Sequence, residues 1–452
     1  MARADGTQLI APTMGPSREF RIVDNQGRNI GPATSLAMAI LAILFLTTDW
    51  TYGSPNTGAL MFARFATRTG VAAQMLSVYG ILAWISLQGR LSRIDKLLGT
   101  AIVVGTTFVA VIVALVLMIP TDHTVFLSPE SYVYEFLAPI AFWAGLRVGF
   151  RRENVYLILN WMAWGLAVIS FISYALRVIN IPGFPPVTYW PKTIFVLGFF
   201  WFFMKLVCFR FRVADLIGLV LTSLEVLLAF TKHTYIDTIV TLAALICFLV
   251  VNKDLRPGNL VRVIASIALI GAAAGAYYTF GTVETQKDID FRLNRMVSTN
   301  TTNRDLHTEG SFMEGLANGR LDIWLAAWER LESSPLVGHG FGQSNNAVTG
   351  SQQVSFHNGY LDWLVSVGLL GALPVAIAVI GWWKAIWRCI AGIKGEPMVA
   401  YMAAIAVGYM VANLGSSTRF LYGSWILWLF ITGAACRFSI ELWHSRTHEV
   451  KV

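Results

Sequence analysis

The sequence predicts an all-α polytopic membrane protein, with about twelve transmembrane helices and one large extramembrane helical loop late in the chain. Three observations predict it. First, the 452 residues are 56% apolar and only 13% charged, about half the charge of a soluble domain. Second, apolar windows long enough to cross a bilayer recur along the chain. At about 20 residues per span, twelve spans use about 240 residues and leave about 210 for loops and tails. Third, most of the 34 Lys and Arg fall in alternate connections between those windows. This composition, with 16 Trp and 28 Phe, excludes a soluble globular enzyme, a disordered chain and a nucleic-acid-binding protein.

The elements follow in order. Residues 1–32 are polar and carry Arg3, Arg18, Arg21 and Arg28. No convincing cleavage site follows the first apolar run, so it reads as a retained span. Hydropathy places spans near 33–49, 71–88, 98–119, 132–146, 154–175, 193–209, 213–230, 235–251 and 261–280, then 359–382, 397–414 and 420–436. Short connections such as that with Arg90, Arg93 and Lys96 are strongly basic. The positive-inside rule then makes the tails 1–32 and 437–452 cytoplasmic. It explains the net charge of +8 without an acidic partner. The spans divide into nine over 33–280 and three over 359–436, and the loop 281–358 between them lies outside. The cysteines, Cys208, Cys247, Cys389 and Cys436, suit neither zinc nor haem spacing and read as packing residues.

Within the loop, 316–333 is helical in pattern. Asn318 can cap it, and Leu321, Trp324, Leu325, Trp328 and Leu331 form a stripe at helical spacing. Such a stripe needs a floor, and the outer end of the bundle would supply one. Pro335 and Gly338 end the helix. Arg320 sits in the first turn, where the helix dipole mildly disfavours a cation. It reads either as an anion ligand, with a fork of donors suited to phosphate, or as a paired surface arginine. His357 stands where the loop enters a span. It reads as an interfacial residue or as a general base able to take a proton near neutral pH. His307 and His339 compete for that role, and Asn358 could orient the base or bind a sugar hydroxyl. Gly338-His-Gly-Phe-Gly serves as an anion nest or as close packing. It matches neither a Walker A nor a Rossmann fingerprint.

Further cations that could hold a diphosphate are Lys232 in the turn before 235–251, Arg64 and Arg68 one helical turn apart, and Arg292, Arg295 and Arg304 ahead of the loop helix. Each also reads as an ordinary snorkelling or surface residue. Glu225, deep in a span, is the most suggestive of the intramembrane acids. Asp215 and Asp237 fall near span ends, where water would reach them. No residue cluster has metal-ligand spacing, so neither a metal nor another cofactor is expected.

Taken together, Gly-Arg320-x3-Trp, Pro335-Leu-x-Gly-x-Gly-x-Gly and His357-Asn-x-Tyr-Leu leading to Gly368-Leu-Leu-Gly resemble the O-antigen ligase and polymerase superfamily. The likeness is close over 318–371. It implies a metal-independent, inverting glycosyltransferase in the bacterial inner membrane, with its active site facing the periplasm. The donor would be a glycan on undecaprenyl diphosphate, and the acceptor another glycan or lipid A-core. Membrane lipid, and chain-length regulators or other assembly proteins, are the implied surroundings. Arg320 matches the family's diphosphate-binding arginine and His357 its proposed base. Thr231-Lys232 is the nearest match to a further Ser-basic pair, with lysine where arginine is commoner. Ser366 stands where the family usually has glutamate, which leaves any orienting carboxylate to Asp362. The two departures favour a polymerase of repeat units over a ligase. A transporter, the alternative of another class, would place its polar groups at the bilayer midplane in repeated helices. Here they cluster at the outer rim.

Overall fold

The computed structural model describes residue 40 and residues 141–147, 152–179, 194–209, 211–227, 232–252, 257–280, 286–287, 290, 321–339, 358–392, 396–414 and 429–440. Among them the regular structure is helical. In chain order the elements are α1 (Arg152–Ile179), α2 (Ile194–Cys208), α3 (Val213–Leu227), α4 (Lys232–Val251), α5 (Pro257–Phe280), α6 (Leu321–Ser333), α7 (Gly359–Gly392) and α8 (Pro397–Ala412). Stretches 141–147 and 429–440 are also helical. Proline opens both α5 and α8, a position where its missing N–H costs nothing. These elements fall on the predicted windows from the fourth onward. The first three windows lie outside the described residues, apart from residue 40. Val155–Ile172 and Thr234–Val251 are long and apolar enough to cross a bilayer by length and composition, while 429–440 and α8 are apolar but shorter. The described helices support the all-α class; the number twelve extends beyond them.

The core is built around α2. Its run Phe199-Phe-Trp-Phe-Phe203 is buried, with Phe200, Trp201 and Phe202 fully so. Trp164 and Tyr401 meet it edge-on, at 5.1 Å from Phe202 and 5.2 Å from Trp201, the arrangement aromatic quadrupoles favour. Small residues let the other helices close in. A Cβ on Gly218 would lie 2.5 Å from the Phe202 ring. One on Gly408 of α8 would lie 1.7 Å from Oγ1 of Thr241 on α4. Stretches 141–147 and 429–440 touch backbone to backbone, since a Cβ on Gly433 would lie 2.1 Å from the Phe142 carbonyl. Close approach through small residues is how helices gain dispersion energy where lipid removes the hydrophobic drive. The same helices turn apolar side chains outward: Phe171 on α1, Ile239 on α4, Val261 and Ile264 on α5, Ile377 and Ile380 on α7. Helices that are apolar on both faces suit a lipid-embedded bundle.

Two expectations change. Asp215 and Asp237 are buried, not wet. Asp215 is paired with Lys205 of α2. Lys205 also donates to the Asn160 side-chain carbonyl at 3.3 Å, which the Trp201 indole shares at 3.4 Å. Asp237 accepts from Thr241 at 3.3 Å. The last helix also runs past its predicted end at 436 to residue 440, and buries Arg437 and Ser439.

Candidate functional site

The motif segments of the loop converge on α7. Hydropathy reads 359–382 as one span, but α7 is broken at Gly368, whose φ is 64° and ψ −173°. The break is sharp. Tyr360 donates from its hydroxyl to the Met410 carbonyl at 2.8 Å, and the Trp383 indole reaches the Met410 sulfur at 3.4 Å. In a straight helix those two residues would be about 34 Å apart at 1.5 Å per residue, too far to meet at one residue of α8. The first arm, 359–367, therefore turns away from the second, 369–392.

A broken helix leaves backbone groups without intrahelical partners, and buried ones must be satisfied elsewhere. The segment after α6 satisfies them. The amide of His339 donates to the Val365 carbonyl at 2.7 Å, while those of Leu369 and Leu370 donate to Pro335 and Leu336 at 2.8 and 3.0 Å. Gly338 also has a positive φ, of 70°. A Cβ there would lie 2.6 Å from the Gly368 nitrogen, and a Cβ on Gly368 would lie 2.4 Å from the Leu336 carbonyl carbon. Both positions demand glycine, for the left-handed backbone and for the contact. The Pro-Leu-x-Gly and Gly-Leu-Leu-Gly motifs are thus two halves of one joint. Of the two readings of Gly338, anion nest and close packing, the backbone contact supports packing.

His339 belongs to the same joint. Its Nε2 lies 2.8 Å from the Arg330 carbonyl and 3.1 Å from the Ser333 hydroxyl. A carbonyl only accepts, so Nε2 carries the proton. Burial pushes the imidazole pKa below its usual range, against the opposing pull of that hydrogen bond. With the ring engaged in this way, His339 reads as a staple of α6 and not as the base.

Packing continues back from the joint. Ala327 and Leu331 of α6 form a small core with Val365, flanked by Leu361 and Leu364. The two helices end together at the joint, and the contact extends one turn back in each, through Ala327 and Leu361. The C-terminal half of α6 thus rests on the first arm of α7 beside the joint. The floor of the α6 stripe is this first arm of α7. Leu325 and Trp328, expected to share that floor, are exposed.

Asn358 opens α7. Its side-chain carbonyl accepts from the amides of Tyr360 and Leu361 at 3.0 and 3.2 Å, which is N-capping. The Gly359 amide donates to the Asn413 carbonyl at the end of α8, at 2.9 Å. The Asp362 amide donates back to the Asn358 carbonyl at 2.9 Å. The first amides of α7 are thus occupied, and this helix end offers none of them to an anion. Asp362 is buried in the first turn, and Ser366, one turn on, donates to its carbonyl at 2.6 Å. Glu225 is buried near the end of α3. Lys232 is the first residue of α4. Arg320, His357, Arg304, Arg64, Arg68, His307, Arg292 and Arg295 lie outside the described residues.

Sequence reasoning missed the cap and the joint. The cap had a signal, since asparagine before an apolar periodic run is a helix start. The pairing of Gly338 with Gly368 had none, because periodicity cannot say which two glycines meet.

Residues 217–376 match the family model described as O-Antigen ligase. That segment, which holds α4 to α6 and the joint, belongs to the O-antigen ligase and polymerase superfamily, as the motifs had suggested. The match implies a glycosyl-transfer enzyme of ligase or polymerase type, in a family of integral inner-membrane proteins. No curated protein matches the chain.

Proposed function

We propose that the protein polymerises undecaprenyl-diphosphate-linked repeat units into surface polysaccharide or exopolysaccharide. It does so at the periplasmic face of the inner membrane, as a multi-pass protein of about twelve spans. The observation that carries this reading is the packing of α6 on the first arm of α7 at the joint. Arg320 immediately precedes α6 in sequence, and His357 immediately precedes Asn358, the cap of α7. The expected phosphate ligand and the expected base thus adjoin, in sequence, two helices that pack on each other.

The chemistry needs little else. A diphosphate is already a good leaving group. Cations must stabilise the charge that grows on it, and a base must take the proton of the attacking hydroxyl. Arg320 supplies the first, with Lys232 at the start of α4 and Arg304, Arg64 and Arg68 as further ligands of the diphosphate or glycan. His357 supplies the second and needs no metal. Asp362, buried one turn inside α7, is the carboxylate available to orient that base in place of the family's usual glutamate.

Arg320→Ala should lower the rate about 10²–10³-fold and His357→Ala about 10²–10⁴-fold, with the protein still inserted in the membrane. Normal polymer in cells from both variants would overturn the assignment. The family match, described as a ligase, favours a second reading: transfer of the glycan to lipid A-core. Incubating the purified protein with a lipid-linked repeat unit separates the two. A ladder of products marks a polymerase, and transfer confined to lipid A-core marks a ligase.

A further inference from the structure

We propose that Asn413, the C-cap of α8, positions the base: its side-chain carbonyl accepts the N–H of the His357 imidazole. The proposal rests on the reading of His357 above and names the group that orients it. Asn413 is fully buried. Its backbone amide and its side-chain Nδ2 both donate to the Tyr409 carbonyl, at 3.1 and 2.9 Å. A carbonyl only accepts, so Nδ2 faces Tyr409 and Oδ1 points the other way. The backbone carbonyl of Asn413 accepts the Gly359 amide at 2.9 Å. Oδ1, also buried, finds no hydrogen-bond partner among the described residues. A buried acceptor left unpaired gives up its hydration for nothing, a cost that an apolar residue would avoid. The helix end does not require it. Asn413 is right-handed, with φ −70° and ψ −16°, so the left-handed cap that favours asparagine is not in play. Its Nδ2 bond only repeats one that the backbone already makes.

The last turn of α8 is where α7 begins. Besides the Gly359 amide on Asn413, the Tyr360 hydroxyl donates to the Met410 carbonyl at 2.8 Å. The other described donors of that corner are committed elsewhere. The amides of Tyr360 and Leu361 serve the Asn358 cap, and that of Asp362 serves the Asn358 carbonyl. The Ser366 hydroxyl is on the Asp362 carbonyl, and the Trp383 indole is on the Met410 sulfur. His357 precedes Gly359 by two residues, a reach of about 7 Å at most, and its imidazole brings a donor. A histidine base needs one ring nitrogen bare to take the proton. The other N–H must be held by an acceptor, which fixes the tautomer and the ring plane. An amide oxygen does this without adding a negative charge beside a diphosphate.

The test follows His357 itself, in the full chain in lipid nanodiscs. The rate at which diethyl pyrocarbonate modifies that residue, read by mass spectrometry against pH, has a midpoint that reports the imidazole pKa. Asn413→Asp sets a carboxylate on the N–H and should raise the midpoint by about one pH unit or more. Asn413→Leu removes the acceptor and should lower it. The acid limb of the transfer rate should move with the midpoint. Asn413→Leu should also lower kcat on the order of 10²-fold, with the donor KM little changed. Both variants keep the backbone carbonyl that holds Gly359, and exchange protection at 359–361 checks that α7 stays fastened. Tyr360 and Asp362 of α7, Tyr409 of α8 and Asp237 of α4, which borders Gly408, are the described ionisable groups beside these contacts, and neither variant alters them. Equal midpoints in the three proteins, with that protection intact, would overturn the proposal and pass the acceptor to another donor, such as Ser416 or Ser417 beyond α8. A midpoint that moves in Asp362→Asn but in neither Asn413 variant would also sink it, naming the carboxylate as the partner. The modification readout needs no turnover, so this contact and the enzymatic reading fail separately.

Discussion

Gly408 in the bundle and Gly368 in the loop joint both sit where a methyl group would collide, but the collisions differ in kind. At Gly408 the obstacles are the side chains of Thr241 and Asp237, inside a helix face packed along its length. At Gly368 they are the backbone of Leu336 and Gly338, at a point where φ is positive. The bundle spreads its constraints over many rings and small residues. The joint concentrates them in a few amide–carbonyl pairs and two glycines. A distributed constraint sets stability, whereas a concentrated one sets the position of what is attached to it, here the ends of α6 and α7.

The comparison breaks most readily at the polar knot of the bundle. Lys205→Met leaves the Asp215 carboxylate buried without its ion-pair partner, which should cost about 3–5 kcal/mol. Lys205→Met with Asp215→Leu should recover most of that loss. Thermal unfolding in detergent checks both. A single variant as stable as the double one would show that the pair does not hold α2 to α3.

Gly368→Ala tests the other region. It forces an alanine to a positive φ and a Cβ into the Leu336 backbone, yet leaves the bundle core untouched. The melting temperature should shift little, while transfer activity falls by up to roughly 100-fold, the scale of a misplacement of about 1 Å. Hydrogen exchange should quicken at the amides of His339, Leu369 and Leu370. Loss of global stability without that local change would place Gly368 with Gly408.

Asn358 gives a smaller and sharper test. Asn358→Ala should cost about 1 kcal/mol of local helix stability. Asn358→Asp keeps an N-capping oxygen and should keep activity if the side chain acts through the cap. An inactive but stable Asp variant would mean that the amide touches substrate.

The smallest effect is at His339. Burial lowers its pKa in the docked joint, so the released state binds a proton more readily. Docking is fully stabilised above the ordinary imidazole pKa of about 6.5 and weakens as pH falls below it. Exchange protection of 335–339 should decline between about pH 6.5 and 5, and His339→Gln should flatten that profile.

The fold class was legible in the sequence because periodicity and charge bias are local signals. The α6 stripe was read from spacing alone, and Ala327 and Leu331 show that part of that face is buried. Gly368 was not legible as a break. Hydropathy averages over about 19 residues and sees an apolar run straight through it. Nor could spacing reveal that the α6 stripe is shared between α7 and an open edge, since that depends on a contact between residues more than thirty positions apart. The Lys205–Asp215 pair was hidden for the same reason: each charge alone reads as a span end.

That pair bears on how the chain enters the membrane during synthesis. A lone lysine or aspartate costs most at the middle of an inserting helix and less at a helix end, where Lys205 closes α2 and Asp215 opens α3. Yet both are buried, so a hairpin that delivers α2 and α3 together, with the opposite charges already neutralised, has a lower barrier than either segment partitioning alone. The turn between them keeps the partners only ten residues apart, and biogenesis of this region should proceed two helices at a time.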